Sequence, residues 1–166
     1  MSLIKVGLGG GCHWCTEAVF QSLKGVYKVQ QGYINASGNL EFSEAILLEY
    51  HPAEISLGNL IQVHLRTHQS FSNHSMRDTY RSAIYVFSSE QKNKAEAALH
   101  SLQSSASQKI QTQVYDFHQF KESRMAIQNY YLQDPSRPFC QRYIAPKLEL
   151  LKKEFESLLK SEEVYT

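Results

Sequence analysis

The chain has few cysteines, few prolines and almost no net charge, and each shortage excludes a class of protein. Among its 166 residues are three cysteines and four prolines, and the net charge is +1. Three thiols cannot all pair, and no charged segment followed by an apolar run opens the sequence, so we do not expect a disulfide-stabilised secreted domain. The small net charge offers no strong field for nucleic acid or for an acidic membrane surface.

Long apolar runs are also missing. No segment approaches the roughly 20 apolar residues that cross a bilayer, so we expect a cytoplasmic protein that does not contact a membrane. Hydrophobic residues make up 42% of the chain, which is enough for a substantial core. No repeat, low-complexity region or linker divides the sequence, so we expect a single domain over residues 1–166, and nothing demands more than a monomer.

The most distinctive part of the chain is residues 9–17, with the sequence GGGCHWCTE. An alternating strand pattern precedes it and a helical pattern follows it, which places Cys12 at a strand-to-helix turn. Unpaired backbone N–H groups and the helix dipole stabilise a thiolate at such a position, so Cys12 is a candidate nucleophile. The alternative is an ordinary tight turn with a small buried cysteine.

Cys12 and Cys15 form a Cys-x-x-Cys pair, which fits either redox chemistry or zinc binding. A structural zinc site normally uses four ligands in two spaced pairs, and only Cys140 remains as a third thiol. The glycine run also lacks the Lys-Ser/Thr ending of a phosphate-binding loop and the spacing of a dinucleotide-binding loop. We therefore expect no cofactor and no metal. A small metal site built from Cys12, Cys15, His13 or Cys140 is the alternative.

Hydrophobic periodicity and turn residues predict a mixture of strands and helices. We predict strands at 4–8, 27–34, 44–50, 79–87 and 110–117. We predict helices after Cys12, after the N-cap Ser56, at 88–104, at 120–131 and from about Pro146, with loops at 69–78 and around Cys140. This order describes an α+β domain with a mostly antiparallel sheet, and we expect a ferredoxin-like split β-α-β core with a C-terminal extension.

Two polar residues stand within apolar patterns. Glu44 shares a strand face with Ile46, Leu48 and Tyr50, where burial disfavours the charged carboxylate and prepares the group to donate a proton. The alternative is that Glu44 lies outside the strand and is solvated. His64 falls on the apolar face of the helix after Ser56, four residues before His68. Without a glutamate between them, we expect His64 to be a hydrogen-bonded core residue rather than a metal ligand.

Five blocks of the sequence together resemble the A-type peptide methionine sulfoxide reductases. The blocks are Gly10-Gly11-Cys12-His13-Trp14-Cys15-Thr16-Glu17, Gly32-Tyr33, Phe42-Ser43-Glu44-Ala45, Tyr80-Arg81-Ser82-Ala83-Ile84-Tyr85, and Pro138-Phe139-Cys140 with Ile144-Ala145-Pro146-Lys147. The first and fourth blocks are specific, and the others support them by their order and spacing.

The resemblance implies reduction of methionine-S-sulfoxide, either free or in peptides and proteins. Cys12 would attack the sulfoxide sulfur and become a sulfenic acid, while Glu44 would protonate the oxygen that Tyr33 and Tyr80 bind. Trp14 would pack against the substrate methyl group. A second thiol then forms a disulfide. Cys140 is the preferred candidate for that thiol. Cys15 is the alternative, and it is less favoured because its side chain can point into the domain rather than toward Cys12. A thioredoxin-type donor would restore the thiols.

Several positions depart from the family pattern. His13 replaces the usual phenylalanine in the wall of the methyl pocket, which makes the pocket more polar and can stabilise the Cys12 thiolate. Ser75 and Arg77 lie in a segment that differs from the usual Asn-Asp-x-Gly-x-Gln, and Ala126-Ile127-Gln128 replaces Tyr-His-Gln. These changes motivate a second hypothesis, a weak or inactive relative that binds oxidised methionine without efficient turnover.

Overall fold

A computed structural model describes residues 2–68 and 80–160 of the chain, apart from the side chains of residues 39 and 40. Among these described residues, five strands form the sheet: β1 Ile4–Gly9, β2 Val26–Ala36, β3 Asn39–Tyr50, β4 Ala83–Val86 and β5 Gln113–Glu122. They close into a barrel in the order β1–β3–β2–β5–β4. All neighbouring pairs are antiparallel except β4 and β5, which are parallel.

The predicted α+β class and the mostly antiparallel sheet are confirmed. The ferredoxin-like description is not confirmed, because β4 pairs with β5 as well as with β1, and this second pairing closes the sheet into a barrel. The hydrophobic pattern of a strand shows which faces it buries. It does not show whether the first and last strands of a sheet meet.

Strand β3 lies between β1 and β2, and it is buried on both faces. Ile46, Leu48 and Tyr50 point into the main core, whereas Ala45 and Leu47 join a second cluster on the other face. Because successive side chains alternate between the two faces, the register of this strand decides where Glu44 lies. Glu44 is a strand residue opposite Tyr33 of β2, as the strand interpretation predicted.

Within the ranges that the structure describes, five helices surround the sheet: α1 His13–Gln21, α2 Leu57–Thr67, α3 Ser89–Ser104, α4 Tyr130–Gln133 and α5 Ala145–Glu154. The predicted caps of α2 and α3 are confirmed, since the Ser56 and Ser88 hydroxyls accept the third helical N–H at 3.0 and 3.1 Å. Leu151 of α5 is fully buried in the main core. None of the helices in the described ranges combines the length and apolar character that crossing a membrane requires.

Several elements differ from the sequence predictions. Among the described residues of the strand predicted at 79–87, only β4 is a strand. Strand β3 begins earlier than predicted, and β5 begins and ends later. The helix predicted at 120–131 is wrong, because residues 117–122 pair with β2 and a left-handed residue, Asn129, follows. The loop predicted around Cys140 is also wrong, because a π-helical turn, Cys140–Ile144, leads directly into α5. The loop predicted at 69–78 lies outside the described residues.

Gly10, in the turn between β1 and α1, is held in a conformation that other residues rarely adopt. Its φ is +150°, and an added Cβ would lie 2.6 Å from the His68 ring. That ring cannot swing away freely, because it is hydrogen-bonded at one nitrogen to Ser82 Oγ at 2.8 Å and at the other to the His64 carbonyl. The turn that delivers Cys12 therefore requires glycine at this position.

We expect Gly10→Ala to lower the free energy of unfolding by about 3 kcal/mol, since backbone strain and overpacking add. Gly38→Ala is the matched control, because Gly38 also has positive φ but has open space around its Cβ position. The control should cost only about 1 kcal/mol, the strain alone. Urea unfolding measures both values. Equal losses in the two variants would show that the His68 contact contributes nothing.

Candidate active site

Cys12 is the N-cap residue of α1, three residues after the end of β1. The backbone N–H groups of Trp14 and Cys15 point at its sulfur, as the predicted helix-terminus position requires. The pKa of the Cys12 thiol is lowered, chiefly by a hydrogen bond from the Cys15 thiol and then by these backbone groups, against burial and the charge of Glu44. Cys12 remains partly exposed, so this thiolate is accessible to a reactant.

Cys15 faces Cys12 rather than turning away into the domain. Its thiol donates to the Cys12 sulfur, and this bond, together with burial and the negative charge on Cys12, raises the pKa of Cys15 far above the ordinary thiol value. These directions favour ionisation of Cys12 before Cys15, and the two thiols lie one helical turn apart.

Cys140 completes a cluster of three thiols. It is fully buried at the start of the π-helical turn and packs with Cys15, Ala18 and Ile144. Burial raises the pKa of Cys140, and the charge of Arg137 partly opposes this. Cys15 thus lies in contact with Cys12 on one side and in the same packed cluster as Cys140 on the other.

Glu44 and Tyr80 both interact electrostatically with Cys12. The Glu44 side chain is 16% exposed. The Tyr80 hydroxyl hydrogen-bonds to the Glu44 carboxylate, and the charge of that carboxylate is the largest cause of the raised pKa of Tyr80, followed by burial and Cys12. The charge of Tyr33 is a smaller cause of the raised pKa of Tyr80, and Tyr33 lies opposite Glu44 in the sheet. The structure therefore brings together four residues that the resemblance connects: Cys12, Glu44, Tyr33 and Tyr80.

His13 is buried and contacts the proposed acid. Its Nδ1 lies 2.8 Å from the Gly32 carbonyl and its Nε2 lies 3.3 Å from Glu44 Oε1. The ring also makes an edge contact with Tyr33, with centroids 5.2 Å apart. The backbone N–H of His13 donates to the same Glu44 oxygen at 3.3 Å. This residue is therefore bound to the barrel strands, and its predicted contact with substrate stays a prediction.

Trp14 belongs to an aromatic cluster that the sequence did not reveal. Its ring stacks on Tyr130 at 4.1 Å and meets Phe139 edge-on at 5.2 Å. Tyr130 is held there by the buried carboxylate of Glu17, which accepts the backbone N–H groups of Asn129 and Tyr130 at 2.9 and 3.1 Å. Burial raises the pKa of Glu17, and these hydrogen bonds oppose that effect.

Glu17 and Arg81 are supporting residues that sequence reasoning missed. Two signals pointed to Glu17: it ends the first block of the family resemblance, and its helical position shares the buried face of α1 with His13 and Phe20. The backbone N–H of Arg81 donates to Ser43 Oγ at 2.7 Å, and its guanidinium donates to the Glu41 carbonyl at 2.8 Å. These bonds attach the residue after Tyr80 to the strand that carries Glu44.

The predicted role of His64 is confirmed. It is buried, and its Nε2 lies 2.8 Å from the Gly9 carbonyl, at the end of β1. A cavity of about 50 Å³ lies between this histidine, Cys12, Cys15 and Lys147. It has room for a few waters but not for the side chain of methionine sulfoxide. In the part of the chain that the structure describes, no three His, Cys, Asp or Glu side chains form a group that could hold a metal ion.

Comparisons with known proteins agree with this geometry. A sequence model of the peptide methionine sulfoxide reductase family matches residues 4–159. The chain is 32% identical over 168 residues to a peptide methionine sulfoxide reductase MsrA of Acinetobacter baumannii (strain AYE), covering 92% of this chain and 96% of the relative.

Solved structures with a similar fold include the reduced form of Mxr1 from Saccharomyces cerevisiae, with a TM-score of 0.72 and 21% identity over 82% of this chain and 88% of that one. Mxr1 in complex with Trx2 gives a TM-score of 0.61 and 21% identity over 76% of this chain and 83% of that one. At this level of identity, the likeness concerns the fold.

We expect Cys15→Ala to shift the alkylation of Cys12 to higher pH. The variant removes the hydrogen bond that most lowers the pKa of Cys12, and a hydrogen bond to a charged group contributes about 1.5–3 kcal/mol, or about one pH unit or more. Cys15→Ser is the matched control, since its hydroxyl still donates. The measurement is the rate of iodoacetamide modification of Cys12 against pH, read by mass spectrometry. An unchanged midpoint in Cys15→Ala would contradict the assignment.

Proposed function

The chain belongs to the peptide methionine sulfoxide reductase family, and we propose that it reduces the S epimer of methionine sulfoxide, either free or in peptides and proteins. The observation that carries this proposal is the meeting of a stabilised Cys12 thiolate with the carboxyl of Glu44 and the hydroxyl of Tyr80. A nucleophile, a proton source and hydrogen-bond donors are the minimum set for removing an oxygen from sulfur.

The first half of the reaction oxidises Cys12. Its thiolate attacks the sulfoxide sulfur, while Tyr33 and Tyr80 bind the oxygen and Glu44 gives it a proton. The oxygen passes to Cys12 as a sulfenic acid, and methionine leaves with two more electrons on its sulfur than the sulfoxide had. The proposed site for the methyl group is beside Trp14, whose ring is fixed by Tyr130 and therefore needs no reorganisation.

The second half removes the sulfenic acid. We propose that Cys15 is the first thiol to attack it, which forms a Cys12–Cys15 disulfide and releases water. The contact between the two sulfur atoms supports this order, which reverses the preference for Cys140 reached from the sequence. Cys140, packed against Cys15, would then exchange to give a Cys15–Cys140 disulfide and free Cys12.

A dithiol of the thioredoxin type is the proposed reductant that restores the thiols. The solved complex of Mxr1 with Trx2 supports this partner, because the two chains share a fold. We propose further that residues 1–166 act as one catalytic domain. The burial of Leu151 in the main core supports this, since it attaches the C-terminal helix to the barrel.

We expect the pre-reduced chain to form about one methionine per chain from the S epimer of a methionine sulfoxide peptide, and none from the R epimer, with two thiols consumed. One oxidised nucleophile and one resolving thiol require this stoichiometry. Quantifying methionine and free thiols in a single-turnover assay tests it.

Cys12→Ser should abolish product in that assay. Substrate binding by the unmodified chain without loss of thiols would instead support the alternative of a binding protein with an altered pocket, which the replacement of the usual phenylalanine by His13 motivates.

The order of the resolving thiols has its own test. We expect Cys140→Ser to form the Cys12–Cys15 disulfide after one turnover, whereas Cys15→Ser should accumulate the Cys12 sulfenic acid, because this variant lacks the thiol that interacts directly with the Cys12 sulfur. Peptide mapping after thiol trapping with a sulfenic-acid reagent distinguishes the products. Rapid formation of a Cys12–Cys140 disulfide in Cys15→Ser would return the resolving role to Cys140.

A further inference from the structure

The ring of His13 has a fixed orientation of its two nitrogens. Its Nδ1 lies 2.8 Å from the Gly32 carbonyl oxygen, inside the protein. A carbonyl oxygen can only accept, so Nδ1 must carry a hydrogen. The strand β2 therefore selects one tautomer, and Nε2 is left with a lone pair whenever the ring is neutral.

That second nitrogen faces a carboxyl oxygen, which can only accept while Glu44 is ionised. Nε2 lies 3.3 Å from Glu44 Oε1, and the His13 side chain is 5% exposed, so water is largely excluded from the contact. If both groups were deprotonated, two lone pairs would face each other at this distance. A single proton between them, on the carboxyl or on the ring, turns the contact into a hydrogen bond.

We propose that His13 and Glu44 share one proton, and that His13 is a positioning residue that keeps this proton available for the sulfoxide oxygen through Glu44. The inference rests on the proposed function, since it concerns the proton that the reaction consumes. Neither an apolar ring nor a neutral amide at position 13 could hold the proton in exchange with Glu44.

The other ionisable groups around the pair favour this state. Cys12 on α1 and Tyr80 before β4 both interact with Glu44, and the negative charge of the Cys12 thiolate favours a proton on the pair. Tyr33 of β2 contributes its ring edge. Glu17, one turn later on α1, is bonded instead to Gln31 and to the backbone of residues 129 and 130.

The proton balance closes over one catalytic cycle. The pair gives its proton when oxygen passes to Cys12, which leaves a Glu44 carboxylate and a neutral His13. Formation of the disulfide by a second thiol releases water and needs no further proton. Exchange of the Cys140 thiol with the Cys12–Cys15 disulfide returns Cys12 as a thiolate and releases the Cys140 proton, which restores the pair. Reduction of the Cys15–Cys140 disulfide by a dithiol then returns both of these thiols with their protons. The sum is sulfoxide plus dithiol giving methionine, water and disulfide.

The test is the pH dependence of the single-turnover rate in His13→Gln. Glutamine still donates to Glu44 but cannot exchange a proton, so only the carboxyl can hold the proton and it is lost at lower pH. Because general acid catalysis contributes about 10²–10⁴-fold, we expect a loss of about 10- to 100-fold at about pH 8 and less than about threefold at about pH 6. The alkaline limb of the profile should move to lower pH.

The pH profile of His13→Gln is compared with three controls. His13→Asn, which retains a donor for Gly32, replaces the glutamine variant if that variant does not fold. His51→Gln changes a buried histidine that accepts from the Ala53 N–H at 3.1 Å, away from Glu44, and should leave the profile unchanged. Alkylation of Cys12 is followed at each pH. An identical alkaline limb in wild type and variant, or a shift that only follows the Cys12 ionisation, would overturn the proposal.

A spectroscopic measurement separates this inference from the proposed function. In wild-type protein labelled with ¹⁵N-histidine, we expect His13 to show a protonated Nδ1 and an Nε2 that is charged or hydrogen-bonded at about pH 7. A neutral Nε2 without a hydrogen bond would overturn the shared proton whether or not the protein is active. Failure of the wild type to reduce sulfoxide at any pH would reject the proposed function while this nitrogen signal still reports the pair.

Discussion

The position of β3 between β1 and β2 is the constraint on which the site depends. On one side its register sets Ala45 opposite Gly9, and on the other it sets Glu44 opposite Tyr33. Ile46 and Leu48 on one face and Leu47 on the other are all buried, so a slip by one residue would exchange both hydrophobic clusters. The packing of the barrel therefore fixes the distance between the proposed acid and the turn that carries the nucleophile.

Local chemistry determined the parts of the fold that the sequence predicted well. Ser56 and Ser88 cap helices because a hydroxyl satisfies an N–H within three residues, which no distant contact needs to support. Residues 120–122 show the opposite case. Their pattern favours a helix, but Phe120 pairs with Ile34, some 86 positions earlier in the chain. A strand of this kind is decided by a distant partner that periodicity does not contain.

The same distinction applies to the candidate site, where some features follow from local chemistry and others depend on the folded structure. Local chemistry indicated a nucleophile at Cys12 and an acid at Glu44, and the family resemblance added Tyr33 and Tyr80 as hydroxyl donors. The structure brings these four side chains together. The sequence could not reveal how Cys15 is directed, because that depends on the orientation of the side chains in the first turn of α1. Nor could it reveal that Glu17 holds Tyr130 against Trp14, since the two are 113 positions apart.

The proposed reaction has two demands, a proton for the sulfoxide oxygen and a thiol that reduces oxidised Cys12. The first turn of α1 directs the side chains proposed for these two tasks differently. His13 points to the barrel strands, where Gly32 and Glu44 bind it, whereas Cys15 points to the π-helical turn that begins at Cys140. In the proposed mechanism, the proton therefore reaches the sulfoxide oxygen from one side of Cys12 and the reducing thiols reach its sulfur from the other. Both demands meet at Cys12, and Cys15 serves both of them in our proposal, because its hydrogen bond favours the Cys12 thiolate before it acts in the recovery of that thiolate. Because consecutive helical residues point in directions about 100° apart, a helix that begins at the nucleophile provides this separation without any additional structure.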